Sequence, residues 1–336
     1  MLKFGTYRLE QLTRSRASLM NRYLRRTCYV GLYEDAGSID GVLGRRLEED
    51  ILCEFMVASG VFKRTSKERM AAFDNAAITI INNLDNLRKP FVVHDMAVSD
   101  GRTACDFFLR LSVDLDDSIE FYATDACLKV IAVREPGRRT TVVVDDKNNV
   151  LQLMRRPFVL PMRGIESWLF PMNRLLRIVL MRTAAKRVLE RYKSGDEELE
   201  RREVQLVCRE ARRLLEERKN FHLDEYDVFE KAPRPYSLVR AMNIFNLSYF
   251  PEAAIAAALI NVYESLEEQG LFVVGSNGDA GSTVDGGIYA KRGGRFSCVY
   301  SSGKGSAIND VVLRTPSYRE RTVRPISIDT RFSDSL

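Results

Sequence analysis

Histidine and tryptophan are the scarcest residues of this 336-residue chain, with two copies and one copy respectively. Two histidines, His94 and His222, cannot build a His-rich metal centre, and no metal is expected. The six cysteines (Cys28, Cys53, Cys105, Cys127, Cys208 and Cys298) contain no C-x-x-C pair. Their scatter excludes a disulfide-knotted secreted module and points to reduced thiols in a cytoplasmic protein. No uncharged apolar run is long enough to span a bilayer, and the N-terminal MLKFGTYRLEQLTRSR lacks the apolar stretch of a signal peptide. A dominant charge is missing too. Lys and Arg number 51 against 46 Asp and Glu, and a net +5 is too small to call for a nucleic-acid partner. What is present, 45% hydrophobic and 29% charged residues, is a globular balance sufficient for one large domain with appendages or two modest ones.

The apolar pattern divides the chain. Residues 1–90 read as a helical N-terminal region, with Leu47, Ile51, Leu52, Phe55 and Met56 at helical spacing, a helix start at Ser66 and a stop at Pro90. From residue 91 a short apolar run (Phe91 to Met96), a small-residue turn (Ala97 to Gly101), a helix (from Arg102) and a second strand (Ile119 to Asp125) follow in order. This predicts a doubly wound, mostly parallel Rossmann-like α/β sheet. Residues 127–219 interrupt it with a β meander, a basic amphipathic helix over 168–193 and a charged helix over 197–219. The alternation resumes with strands at Phe221 to Leu223 and Tyr236 to Met242. A helix from Pro251 to Gln269 follows, then a strand from Leu271 to Gly275 and a closing antiparallel hairpin across residues 287–300. The main domain is expected at 91–314 and a flexible tail at 315–336.

Chemistry concentrates in residues 92–111. A strand that carries Asp95 into Ala97, Ser99, Asp100 and Gly101 before opening a helix makes a cradle in which the backbone can approach a ligand. Asp125 ends the next strand, where a carboxylate can accept hydrogen bonds from both hydroxyls of a ribose. The loop has one glycine where dinucleotide folds carry three, and Asp100 repels a pyrophosphate, so a nicotinamide-dependent oxidoreductase is disfavoured. Acidic groups attract the sulfonium and α-amino group of S-adenosylmethionine instead.

With HDMAVSDG at 94–101, FYATD at 121–125 and YSLVRAMNIFNLSYF at 236–250, the chain resembles class I S-adenosylmethionine-dependent methyltransferases, and among them the chemotaxis-receptor methyltransferase branch. The resemblance covers about residues 88–300, with the insertion excluded, and Arg240, Asn243, Tyr249 and Phe250 stand in comparable places. It implies that Asp95, Ala97, Ser99, Asp100 and Gly101 surround the methionine part of the cofactor. It further implies that Asp125 holds the ribose, Asp227 and Val228 lie near the adenine, and Asn243 closes the pocket. The implied activity is methyl transfer to an unidentified oxygen or nitrogen acceptor, by a displacement that needs alignment and exclusion of water more than a general base.

Each of these residues also has a structural reading. Asp95 can cap a turn, Asp125 a helix, and Arg240 and Asn243 can be partners at a strand end. His94, on an apolar strand, reads as a core histidine, and His222 as a surface histidine or a general base. Asn246 and Tyr249 reach the rim where a substrate would sit. The degraded glycine loop keeps open a non-enzymatic protein that retains the fold for cofactor sensing or scaffolding. The helix at 168–193 suits packing on its own domain, contact with a second copy, or peripheral attachment to a membrane.

Overall fold

The computed structural model describes residues 3–16, 27–53, 55–63, 69–84, 88–115, 118–162, 170–278 and 283–321. The helix start at Ser66, the Trp168 end of the basic helix and most of the tail lie outside the described residues.

The N-terminal region holds β1 (Gly5–Thr6), α1 (Leu9–Arg16), β2 (Thr27–Cys28), α2 (Tyr33–Gly37), α3 (Gly41–Leu52) and α4 (Ala71–Asn82). The main sheet then begins with β3 (Phe91–Met96), α5 (Arg102–Leu115) and β4 (Ile119–Asp125). The insertion contains β5 (Lys129–Arg134), β6 (Thr140–Val144), β7 (Val150–Arg155), β8 (Phe158–Pro161), α6 (Pro171–Leu180), a π-helical turn (Met181–Ala185) and α7 (Lys186–Lys193), followed by β9 (Glu200–Gln205) and α8 (Arg209–Glu217). The main sheet resumes through β10 (Phe221–Glu225), β11 (Tyr236–Met242), α9 (Glu252–Ser265), β12 (Leu266–Asn277), β13 (Val284–Arg292) and β14 (Arg295–Ser302), and α10 (Asn309–Arg321) follows.

Seven strands form the main sheet in the order β10-β4-β3-β11-β12-β13-β14. The first five are parallel, and β13 and β14 close the edge as the expected antiparallel hairpin. Side chains alternate across it. Leu238 joins Phe73, Phe108, Phe121 and Leu214 on one face, under α4, α5 and α8. Its neighbour Val239 joins Ile255, Leu259, Phe272 and Val312 on the other, under α9 and α10. Strand order reverses at β3, whose chain continues to β4 and β10 on one side while β11 lies on the other. The crevice at the carboxyl ends of β3 and β11 is therefore the topological switch point, where open α/β sheets bind ligands.

The insertion is a second sheet, five antiparallel strands in the order β8-β7-β6-β5-β9. One face packs on Leu180, Ala185 and Val188 of the helix that follows it. The other packs on Tyr33, Leu47 and Ile51 of α2 and α3, so these N-terminal helices rest on the insertion. Among the described residues no helix is long and apolar enough to cross a membrane.

Several elements differ from expectation: α4 ends at Asn82, ahead of the stop expected at Pro90, and residues 315–321, expected in the flexible tail, belong to α10. The charged segment 197–219 is not one helix, because Glu200–Gln205 pairs along β5 as an edge strand, with Arg134 opposite Glu200 and Val130 opposite Val204. Its exposed positions carry long charged residues that favour a helix locally, and pairing with β5 overrides that preference. The helix after Pro251 stops at Ser265 rather than Gln269. Beyond it the chain already pairs with β11 at Leu266 and makes an irregular step, with Gln269 at φ 69°.

Candidate functional site

The loop that leaves β3 is held in an uncommon shape. Ala97 has φ 56°, Ser99 φ 64° and Gly101 φ 87°. The left-handed region costs a non-glycine residue about 1 kcal/mol, so two such residues in one turn need support. The support is Asp125. Its Oδ2 accepts the Ser99 N–H at 2.7 Å, and its Oδ1 accepts the Cys127 N–H at 3.0 Å. The Nζ of Lys63, from a hairpin in which Met56 bridges to Phe62, reaches Asp125 Oδ1 at 2.7 Å and the Cys127 carbonyl at 2.6 Å. Ser99 Oγ donates back to the Lys63 carbonyl at 2.9 Å. Asp125 thus stands at the strand end where a ribose-binding carboxylate is expected, with both oxygens engaged by its own chain.

Asp95 lies deeper. It pairs with Arg240, which stands opposite it on β11, through Nη1 at 2.7 Å. The same guanidinium grips Asp74 of α4 through Nε at 3.1 Å and Nη2 at 3.2 Å, and stacks over the Phe107 ring. All three charged side chains are at most 2% exposed. Burial pushes the Asp95 carboxyl up, and the Arg240 guanidinium works against that push. Asp95 therefore ties β3, β11 and α4 together and does not face a ligand.

Asp100 points the opposite way, toward the N-terminal helices, and is fully buried. It accepts hydrogen bonds from Tyr33 Oη at 3.0 Å, from the Arg102 backbone at 3.1 Å and from Arg102 Nη2 at 3.2 Å. Arg102 continues to Glu48 at 2.9 Å and Glu49 at 3.0 Å. Burial pushes Glu48 up to about 7 against the pull of Arg102. The Asp100 carbonyl accepts the N–H of Cys208, whose Sγ caps α8. A Cβ on Gly101 would stand 3.1 Å from the Cβ of Ala211 in α8. The close backbone approach that glycine permits is therefore used by a helix of the chain itself.

Asn243 follows β11 in the left-handed region at φ 60°. Its N–H donates to the Gly275 carbonyl and its Oδ1 accepts the Asn277 N–H at 2.9 Å. Its Nδ2 is buried with no hydrogen-bond partner. Asp227 caps its own turn by accepting the Phe229 N–H, and Val228 is buried in the α9-side cluster. His94 is a core residue between the Tyr226 and Tyr236 rings, with Nε2 2.9 Å from Thr124 Oγ1. Burial lowers its pKa to about 3. His222 is half-exposed, stacked on Tyr122 and 3.2 Å from Glu120. Asn246 accepts the Ser248 N–H, and Tyr249 is exposed beside Phe250.

The structure thus sets Ala97, Ser99 and Asn243 beyond the carboxyl ends of β3 and β11, places Asp125 at the end of β4 in an ion pair with Lys63, and commits Asp95, Asp100 and Gly101 to packing and ion pairs. Tyr33, Lys63, Asp74 and Arg102 complete this arrangement and were not anticipated. Asp74 had a signal, since it shares the apolar face of α4 with Met70, Phe73, Ala77 and Ile81, and a carboxylate at such a position demands a buried partner. Lys63 had none.

No family model matches the sequence, and no curated protein matches it. Solved structures with a similar fold are methyltransferases. The magnesium protoporphyrin IX methyltransferase from Synechocystis with bound SAM is 8% identical over 63% of this chain and 60% of its own, with a TM-score of 0.30. A glycopeptide N-methyltransferase complexed with sinefungin is 12% identical over 63% and 50%, TM-score 0.28. A sugar N-methyltransferase from Streptoalloteichus is 9% identical over 61% and 47%, TM-score 0.29. The chain spans about half the length of the solved structures it matches. The fold assignment rests on the sheet order above, not on these likenesses, and none of them belongs by name to the chemotaxis-receptor branch.

Proposed function

We propose that the protein is an S-adenosylmethionine-dependent methyltransferase acting on an oxygen or nitrogen acceptor, with the cofactor in the crevice between the carboxyl ends of β3 and β11. The observation that carries this reading is the placement, along the carboxyl edge of the sheet around its topological switch point, of the strand-end carboxylate Asp125 and of Asn243, whose Nδ2 is buried without a hydrogen-bond partner. Ala97, Ser99 and Asn243 fit a nucleoside cofactor there, with Asp227 on the adenine side, and Asp125 would take its ribose in exchange for Lys63. Asp95, Asp100 and Gly101 do not, because Arg240, Tyr33 with Arg102, and α8 already occupy them. The bound cofactor supplies a methyl group activated by its sulfonium. The chain aligns the acceptor and excludes water.

The ion pair of Lys63 with Asp125 favours a second reading, in which the fold is kept for cofactor sensing or scaffolding without turnover. Isothermal titration with S-adenosylmethionine and S-adenosylhomocysteine separates the two when run on the native protein, Asp125→Ala and Lys63→Met. The methyltransferase reading expects native binding, loss in Asp125→Ala and a gain in Lys63→Met as its competitor leaves the carboxylate. It also expects S-adenosylhomocysteine to accumulate when native protein meets a cell extract. Binding by neither the native protein nor Lys63→Met overturns it in favour of a scaffold, and binding without turnover gives the sensing module.

A further inference from the structure

The helix formed by α6, the π-helical turn and α7 leaves one side uncovered. Its inner side closes the five-stranded sheet through Leu180, Ala185 and Val188. On its outer side Met172, Leu175, Val179, Thr183 and Arg187 follow one another at intervals of three and four residues, in line along the axis. Met172 and Leu175 are each 54% exposed, Val179 47% and the flanking Ile178 38%. Single exposed aliphatic residues are ordinary, but four large ones within about two turns of one helix form a patch.

The charge around this stripe has one sign. No acidic residue occurs between Glu166 and Glu190. Arg174 and Arg182 border the stripe, exposed and without an ion pair to any described residue. At Arg187 the line runs into a cleft of about 260 Å³, where Arg138, Arg139, Arg155 and Arg187 surround Thr140 and one carboxylate, Glu135. Glu135 is already shared among Arg138, Arg187 and Arg191. Arg139 and Arg155 are left without a counter-ion among the described residues.

An aliphatic stripe that ends in an arginine cleft is complementary to an anionic bilayer. The apolar groups enter the boundary of headgroups and acyl chains, and guanidinium groups take headgroup phosphates. A second copy of the chain fits less well, because a two-fold contact through this patch would set Arg174 and Arg182 against their own copies. A nucleic-acid backbone would engage the arginines and leave the stripe in water.

We propose that the outer face of α6 and α7 docks the protein on an anionic lipid surface, with Met172, Leu175 and Val179 inserted and the cleft of Arg138, Arg139, Arg155 and Arg187 holding a headgroup phosphate. The docking is independent of the cofactor reading. Flotation of the full chain with vesicles of phosphatidylcholine, alone or mixed equally with phosphatidylserine, tests it. The native protein is expected to float with the mixed vesicles and not with phosphatidylcholine alone. Leu175→Asp/Val179→Asp abolishes flotation. Arg139→Ala/Arg155→Ala lowers affinity roughly tenfold or more, and added salt acts in the same direction. These positions are exposed, so an unchanged urea midpoint verifies the fold of each variant. Four results overturn the proposal, the first three being native protein that stays with the soluble fraction at low salt; flotation unchanged in both variants; and a dimer in light scattering that Leu175→Asp/Val179→Asp disperses without any vesicle binding. The third result assigns the face to a second copy. Binding lost only in the arginine variant and competed away by RNA also overturns it, in favour of nucleic acid.

Discussion

Two buried ion networks flank the first loop of the main sheet, and they differ in completeness. Behind the loop, Arg240 spends Nε, Nη1 and Nη2 on Asp74 and Asp95. In front of it, Arg102 meets three carboxylates, Asp100, Glu48 and Glu49, while its own Nε and Glu48 Oε1 are left without partners. Both networks begin in one stretch of chain, Asp95 to Arg102, and they face different layers. The Arg240 network joins two strands to a covering helix. The Arg102 network joins the main domain to α2 and α3. A closed network is costly to break, because removing the cation strands two buried charges. An incomplete one resists its full charge, since burial pushes the Glu48 carboxyl up to about 7 against the pull of Arg102.

The largest test of that contrast is Arg240→Met, which leaves Asp74 and Asp95 buried without their cation. Stability in urea should fall by about 3–5 kcal/mol. If Arg240→Met costs no more than a surface change, the network is not closed. Arg102→Met should cost less, about 2–3 kcal/mol, because Tyr33 still serves Asp100, Glu49 is partly solvated and Glu48 takes up a proton. Equal losses in the two variants would remove the distinction. The third effect appears only with pH and concerns His94, next to Asp95 on β3 and buried without any charge partner. Its native pKa near 3 lies below the ordinary 6.5, so the unfolded chain binds more protons between these values. Stability should therefore be lost as pH falls from 6.5 toward 3, at up to about 1.4 kcal/mol per pH unit. His94→Phe should flatten that slope in urea titrations across the window. Glu48 runs the other way, its raised pKa favouring the folded state on acidification, but it is common to both proteins and leaves their difference to His94.

Much of the architecture was legible because it follows from periodicity. The runs that became β3, β4, β10 and β11 are apolar and short, and the small-residue turn after β3 separates the first two by a helix. The strand-end position of Asp125 was legible for the same reason. The misread segment was 197–219, where an edge strand exposes long charged side chains and borrows its hydrogen bonds from β5. At the site, Asp95, Asp100 and Asp125 were placed in the right loop and at the right strand ends, but their partners were not foreseen. Lys63, Arg240 and Tyr33 are distant in sequence from the acids they hold, and nothing local announces such a pair.

The sequence by itself determined the doubly wound sheet, its closing hairpin, the β insertion and the loop where carboxylates gather, because hydrophobic period and turn residues act over a few positions at a time. Only the tertiary structure decided which cation each of these carboxylates meets. A buried acid must find a cation, and which cation it finds depends on elements brought together across the whole chain. Arg240 claims Asp95, Arg102 claims Asp100 and Lys63 claims Asp125, each from a distant or separate element of the chain.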